Sequence, residues 1–279
     1  MKFILVVIML IGCTIVHAQR SFTYLPDSYS TDYSSTRPPV MRIQAGDTVH
    51  STSVDAVGID KEGNKVAPRG NPLTGPFFID GASVGDVIAV KLFDVRLNRN
   101  FATTLNALIP KMYPKASGMK MWRSAKLIKW QLDVEKLTGT PKDTSAVLKK
   151  LKVPLHPFVG CVGVASGGTK AANSGASGIY GGNLDFHYIT SGAVVYLPVI
   201  HDGALLYLGD GHAAQGDGEL NGDALETSMD FSFSVKVVKK DDFPLQTPMV
   251  ENSDYIMFFG IESNLDMALK VATMHLQSW

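Results

Sequence analysis

The chain has 279 residues, with 26 Lys and Arg balancing 26 Asp and Glu, and it is 45% hydrophobic with 26 Gly and 14 Pro. That length supports one large or two modest domains with a sizeable core, and the Gly and Pro content suits a loop-rich β-protein. Balanced charge creates no global field, so nothing in it favours nucleic acid or an anionic membrane as a partner.

Residues 1–18 read as an export signal. Lys2 supplies the positive end, Phe3 to Val16 a short apolar core, and Val16-His17-Ala18 a small-residue cleavage site. The apolar run is too short to span a bilayer, and no membrane span is expected. The alternative is a lipoprotein signal, in which Leu10-Ile11-Gly12 precedes a lipidated Cys13. Either reading places the protein outside the cytoplasm, periplasmic or secreted. Cleavage leaves Cys161 as the only cysteine, which excludes an internal disulfide and leaves the core to hold the fold.

Residues 19–39, rich in Ser, Thr, Tyr, Asp and Pro, form an exposed arm. Residues 40–153 form a first β-rich part. In it Met41, Ile43 and Val49 alternate with polar residues around a Gly46-Asp47 turn, and residues 58–70 are a loop. Two apolar runs follow, residues 76–79 and 86–97. The second carries Val87, Ala89, Phe93 and Val95 on one side and Ile88, Val90 and Leu92 on the other. It therefore reads as a strand buried on both faces. A Lys-rich insertion over 98–152 predicts an extended hairpin or a short helix pair. Lys126, Lys129 and Lys136 fit its solvent face better than a nucleic-acid surface, despite the neighbouring tryptophans.

Residues 154–279 form a second β-rich part that ends in a helix, with Leu265, Leu269, Ala272 and Leu276 on one face. Cys161 lies in the apolar run 158–164 and reads as a small buried side chain rather than a nucleophile. The Gly/Ser loop after it has no G-x-S-x-G elbow, so Ser166, Ser174 and Ser177 read as loop residues. Within this part, 65 residues from Ala171 to Val235 contain no Lys or Arg and eight carboxylates: Asp185, Asp202, Asp210, Asp217, Glu219, Asp223, Glu226 and Asp230. Apolar runs at 194–199 and 204–209 are each followed by a polar cluster, the way β-proteins display a site. Acidic groups gathered by folding need a counter-charge, and with no local cation a bound metal ion is the expected one.

Residues two apart on an extended chain face the same way. Asp210 and His212 can therefore meet at one point, as can Asp217 and Glu219, with Asp185 and Glu226 closing the set from neighbouring strands. Imidazole with carboxylates suits zinc or a similar divalent ion, calcium being the alternative. Residues 217–228 resemble a calcium loop for six positions, but Ser228 stands where an EF-hand needs Glu. His187 and His201 lie in settings that require no function.

Five segments together carry a resemblance: residues 71–95, 157–165, 181–185, 195–219 (with GDGHAAQGDGE at 209–219) and 221–226. In this order and spacing they resemble the acetamidase/formamidase family. The resemblance implies a mainly β fold of sandwich or jelly-roll character with an additional α/β part, assembled as a homo-oligomer. It implies hydrolysis of small aliphatic amides to a carboxylate and ammonia, with a divalent metal. Asp55, Asn183, Asp185, Asp210, His212, Gln215, Asp217, Glu219 and Glu226 stand at matching positions. The chemistry of these groups assigns Asp185, Asp210 and His212 to the metal, Glu219 or Glu226 to general base catalysis, and Asn183, Gln215 and Asp55 to the substrate. Tyr188 departs from the acid or histidine frequent at that place. An exported binding protein without turnover is the alternative on the same scaffold.

Overall fold

A computed structural model describes residues 19–112, 123–142 and 145–279. Residues 1–18, with Cys13 and the expected export signal, and residues 113–122 and 143–144 of the Lys-rich insertion lie outside them.

The described residues are mainly β and arranged in two sheets. The first contains, in spatial order, Ser21–Thr23, Thr48–Thr52, Met229–Val238, Val87–Leu97, Val194–Pro198, Met249–Glu251 and Ile256–Phe258. The second runs Ser177–Gly178, Gly181–Asn183, Phe158–Gly163, Leu206–His212, Glu226–Thr227, Phe101–Leu105, Leu127–Asp133, Thr138–Pro141 and Val153–Pro154. Leu73–Ile79 pairs with the first half of Leu206–His212 and carries Met41–Ile43 parallel to it. Both sheets draw strands from either side of residue 153, so the two β-rich parts are interleaved.

One hydrophobic cluster joins the sheets. Val90, Leu92 and Phe233 from the first pack with Phe77, Val162 and Leu208 from the second. Phe77 lies at the crossing, its ring 5.2 Å from Phe233 and 5.6 Å from Tyr24, both edge-on. The Gly46-Asp47 turn sends the strands on either side of it to different sheets: Met41–Ile43 joins the second and Thr48–Thr52 the first.

The Val87–Leu97 strand corrects one expectation. Its first four residues are buried, but Phe93 is 47% exposed. Pairing with Met229–Val238 shifts between Ser232 and Phe233, so Leu92 and Asp94 have partners and Phe93 has none. That bulge reverses the alternation. Ile88, Val90 and Leu92 face the core before it and Val95 after it, while Phe93 turns outward. Both faces are apolar in sequence because the inward parity changes midway, not because layers cover both faces throughout.

The Lys-rich insertion takes the hairpin option. Phe101–Leu105, Leu127–Asp133 and Thr138–Pro141 form an antiparallel meander, and Lys126, Lys129 and Lys136 are exposed. The helix spans Leu265–Ser278, and the Asn264 side chain caps it by accepting from the Met267 N–H at 2.9 Å. Its expected apolar face points outward: Leu265, Leu269 and Leu276 are all exposed. No described helix is long and apolar enough to cross a membrane.

Truncation at the sheet crossing tests this packing. Phe77→Ala is expected to lower the unfolding free energy by about 3–5 kcal/mol. In urea melts this appears as a lower midpoint at unchanged slope.

Candidate active site

Four adjacent strands of the second sheet build the site. Phe158–Gly163 pairs antiparallel with Leu206–His212, setting Phe158 opposite His212 and Cys161 opposite Gly209. On the far side of Leu206–His212, Glu226 pairs directly with His212. On the far side of Phe158–Gly163, Asn183 pairs with Cys161, and the chain leaving that short strand delivers Asp185. Long-range pairing thus brings residues from four segments to one buried point.

The side chains converge there. Asp185, Asp210 and His212 form one trio of metal-ligating groups, and His212, Glu219 and Glu226 another, the ligand atoms in each trio lying within 4.8 Å of one another. His212 Nε2 is 3.4 Å from Glu226 Oε2 and 3.5 Å from Asp210 Oδ2. Ligands about 2.0–2.2 Å from one tetrahedral ion stand about 3.4 Å apart, so the spacing suits an ion between them better than direct hydrogen bonds. Asp185 Oδ1, Asp210 Oδ1, His212 Nε2 and Glu226 Oε2 are all buried without a hydrogen-bond partner in the protein. Buried polar atoms are seldom left in that state, and a cation held by Asp185, Asp210 and His212, whose ligand atoms lie together, would give those three groups a partner. The donor set therefore fits a divalent metal.

Neighbouring amides fix which oxygens remain free. Asn71 Nδ2 donates to Asp210 Oδ2 and to Asn183 Oδ1, both at 2.8 Å. Asn183 Nδ2 donates to Asp185 Oδ2 at 2.5 Å. In both aspartates Oδ2 is held by an amide and Oδ1 is left without a partner, and outer hydrogen bonds of this kind orient metal-ligating carboxylates. Asn71, Asp185 and Asp210 have φ of 49°, 44° and 59°, a left-handed region uncommon outside glycine. Such strain concentrates at functional sites. The Phe158 ring meets the His212 imidazole edge-on at 4.8 Å between centroids. Gly160 leaves the space above the histidine open: a Cβ there would lie 2.8 Å from His212 Cε1 and 2.9 Å from Asp185 Oδ1.

Electrostatics follow from burial of like charge. Burial, with Asp210 and the glutamates adding to it, pushes Asp185 up to about 8. Burial, again reinforced by Asp210, pushes Glu226 up to about 8. Glu219 is raised, first by burial and then by Asp210 and Asp223. Burial alone would lower His212, but Glu226 and Asp210 outweigh it and raise it well above the usual imidazole range.

The remaining candidates are placed as follows. Gln215 Nε2 donates to the Asp185 carbonyl at 2.7 Å, and its Oε1 is buried without a partner. Asp55 stands apart from the cluster, in a buried ion pair with Arg99 at 2.7 Å. Its second oxygen accepts from the Val57 and Ile59 N–H groups. Asp217 turns outward, 3.8 Å from His187, so the expected pairing of Asp217 with Glu219 at one point does not form. His201 Nε2 bonds the Ser166 carbonyl at 2.9 Å, a structural role. Cys161 is buried, its Sγ 2.9 Å from Asn183 Oδ1, and burial raises its thiol well above the usual range. Sequence reasoning did not identify Asn71, Phe158, Gly160 or Arg99.

A profile of the acetamidase/formamidase family matches residues 168–275. A Schizosaccharomyces pombe protein assigned as a formamidase is 26% identical over 223 aligned positions, covering 63% of this chain and 54% of that protein. The chain thus spans about half the length of that relative. Among solved structures, a predicted acetamidase/formamidase from Thermoanaerobacter tengcongensis superposes with a TM-score of 0.78 at 27% identity, covering 94% of this chain and 83% of that one. Acetamidase from Bacillus halodurans gives 0.75 at 29%, covering 92% and 83%.

Two outcomes test this site. Gly160→Ala is expected to weaken zinc binding at least about tenfold by filling the space beside His212 and Asp185, as measured by competition with a chromogenic chelator. The raised pKa values of Asp185, Glu226 and His212 all act in one direction. Metal-free, their stabilisation is present below the unfolded values of about 4 for the carboxyls and 6.5 for the imidazole, and it is lost as pH rises through the folded ones. The Tm of metal-free protein is therefore expected to fall between about pH 5 and 8, and saturating zinc to flatten that fall. A metal-free Tm that does not fall over this range would contradict the protonated cluster.

Proposed function

We propose that this chain, a relative of the acetamidase/formamidase family, is an amidase that cleaves the C–N bond of small linear amides to a carboxylate and ammonia. The observation that carries the reading is the cluster of Asp185, Asp210, His212, Glu219 and Glu226, two trios of ligating groups that share His212 and in which four buried polar atoms lack a hydrogen-bond partner. Asp185, Asp210 and His212 would hold a divalent ion, zinc by the nature of the donors. Such an ion supplies Lewis-acid polarisation of the amide carbonyl and activation of water.

The chain's own groups do the rest. Glu226 Oε1 is held by the Ala224 N–H at 2.8 Å, leaving Oε2 directed at His212. Burial raises the Glu226 carboxyl, which makes it a stronger base than an exposed carboxylate. It takes a proton from the attacking water and returns it to the amide nitrogen as the C–N bond breaks. Glu219, partly buried and also raised, is the alternative for this step. Gln215 Oε1 is an unpartnered acceptor suited to the amide NH₂. Asn183 acts through Asp185, whose orientation it fixes. Asp55, with both oxygens engaged, supports the site through Arg99, which also donates to the Glu226 carbonyl.

Export and self-association belong to the same reading. The Lys2 end, apolar run and Val16-His17-Ala18 site support export. The outward apolar face of the Leu265–Ser278 helix supports a homo-oligomer contact.

Elemental analysis and ammonia release test the proposal together. Purified protein is expected to carry near-stoichiometric zinc or another divalent ion and to release ammonia from formamide and acetamide. His212→Ala is expected to lose the metal and at least about 100-fold in kcat/KM. Folded, metal-replete protein that binds an amide but releases no ammonia would replace the enzyme with a binding protein on the same scaffold.

A further inference from the structure

Beside the buried cluster lies a cleft of about 510 Å³, its floor and one wall formed by Trp130, Val153, Ala214, Ala224 and Leu225. It adjoins the cluster through two direct links. Gln215 lines the cleft and donates to the Asp185 carbonyl, and Ala224 lines it while its N–H holds Glu226. Trp130 and Val153 come from the Lys-rich meander, in the Leu127–Asp133 and Val153–Pro154 strands. The insertion therefore builds this wall.

Acetamide has four heavy atoms and occupies on the order of 100 Å³, at about 30 Å³ per heavy atom, the share of a water in the liquid. The cleft is several times larger and lies in the range of sites for much bigger ligands. Trp130 brings an indole to its lining. Trp130 Nε1 is buried without a protein partner, a donor awaiting an acceptor. Hydrolysis that releases ammonia leaves no substituent on the nitrogen side, so a group filling the cleft must be on the acyl side.

We propose that the preferred substrates are primary carboxamides with a bulky apolar or aromatic acyl group, of the size of phenylacetamide, seated against Trp130 and Val153. This assignment rests on the amidase reading for its chemistry and on the cleft alone for its specificity.

The test compares phenylacetamide with acetamide on the metal-loaded protein. Ammonia release is expected to give phenylacetamide a kcat/KM about 100-fold higher, since one methylene in an apolar pocket is worth about 10-fold or more. Val153→Trp, which fills the cleft, is expected to cut that preference at least about tenfold. Binding is read separately: phenylacetamide is expected to quench tryptophan fluorescence at concentrations where acetamide does not, and Trp130→Phe to remove the quench. Equal or better turnover of acetamide, or a preference unmoved by Val153→Trp in protein with a native circular dichroism spectrum, overturns the specificity assignment. If neither amide is hydrolysed the amidase reading falls, and binding decides the cleft: tighter phenylacetamide sustains it and equal or weaker binding overturns it.

Discussion

The arrangement depends on buried carboxyl groups that outnumber the one imidazole able to balance them. Asp185, Asp210, Glu219 and Glu226 surround a single imidazole in the second sheet. Burying a carboxylate without a partner is costly, and the group answers by holding its proton or by taking up a cation. The surrounding structure keeps both options open. Asn71 and Asn183 hold one oxygen of each aspartate and leave the other free, and Gly160 keeps the space beside His212 clear.

A second buried charge pair in the same wall is built the opposite way. Arg99 and Asp55 meet at 2.7 Å, and the guanidinium also donates to the Ile59, Asp60, Phe101 and Glu226 carbonyls and to the Thr227 hydroxyl. Every donor direction is occupied, so Arg99 has nothing left with which to neutralise Glu226. One charge group is closed and structural; the other, one strand away, is open. That contrast makes the open one the candidate site for chemistry.

Much of this was legible in sequence, for local reasons. The i, i+2 spacing of Asp210 and His212 on an extended run placed both at one point, and the absence of Lys and Arg around them marked the charge imbalance. The strands at 158–163 and 194–198 followed from unbroken apolar runs. What escaped depended on long-range register. Asn71 reaches the site only because Leu73–Ile79 pairs with Leu206–His212, and no local pattern encodes that pairing. Asp217 has the spacing to face inward with Glu219, but the turn that gives Glu219 a φ of 44° breaks the alternation. The bulge at Phe93 misled in the same way, because period-2 reasoning assumes an uninterrupted ladder.

The register that assembles the site also sets when it can exist. His212 takes its neighbours from Phe158 on one strand and Glu226 on another, and Asn71 enters from much earlier in the chain. Such non-local pairings form late in folding, so the donors, though all lie between Asp185 and Glu226, gain their neighbours Asn71 and Phe158 only in the completed sheet. Divalent ions bind a given set of nitrogen and oxygen donors in a fixed order of strength, whichever compartment supplies them. Which ion such a donor set would take up would therefore depend on the compartment in which Glu226 closes against His212 as well as on the donors.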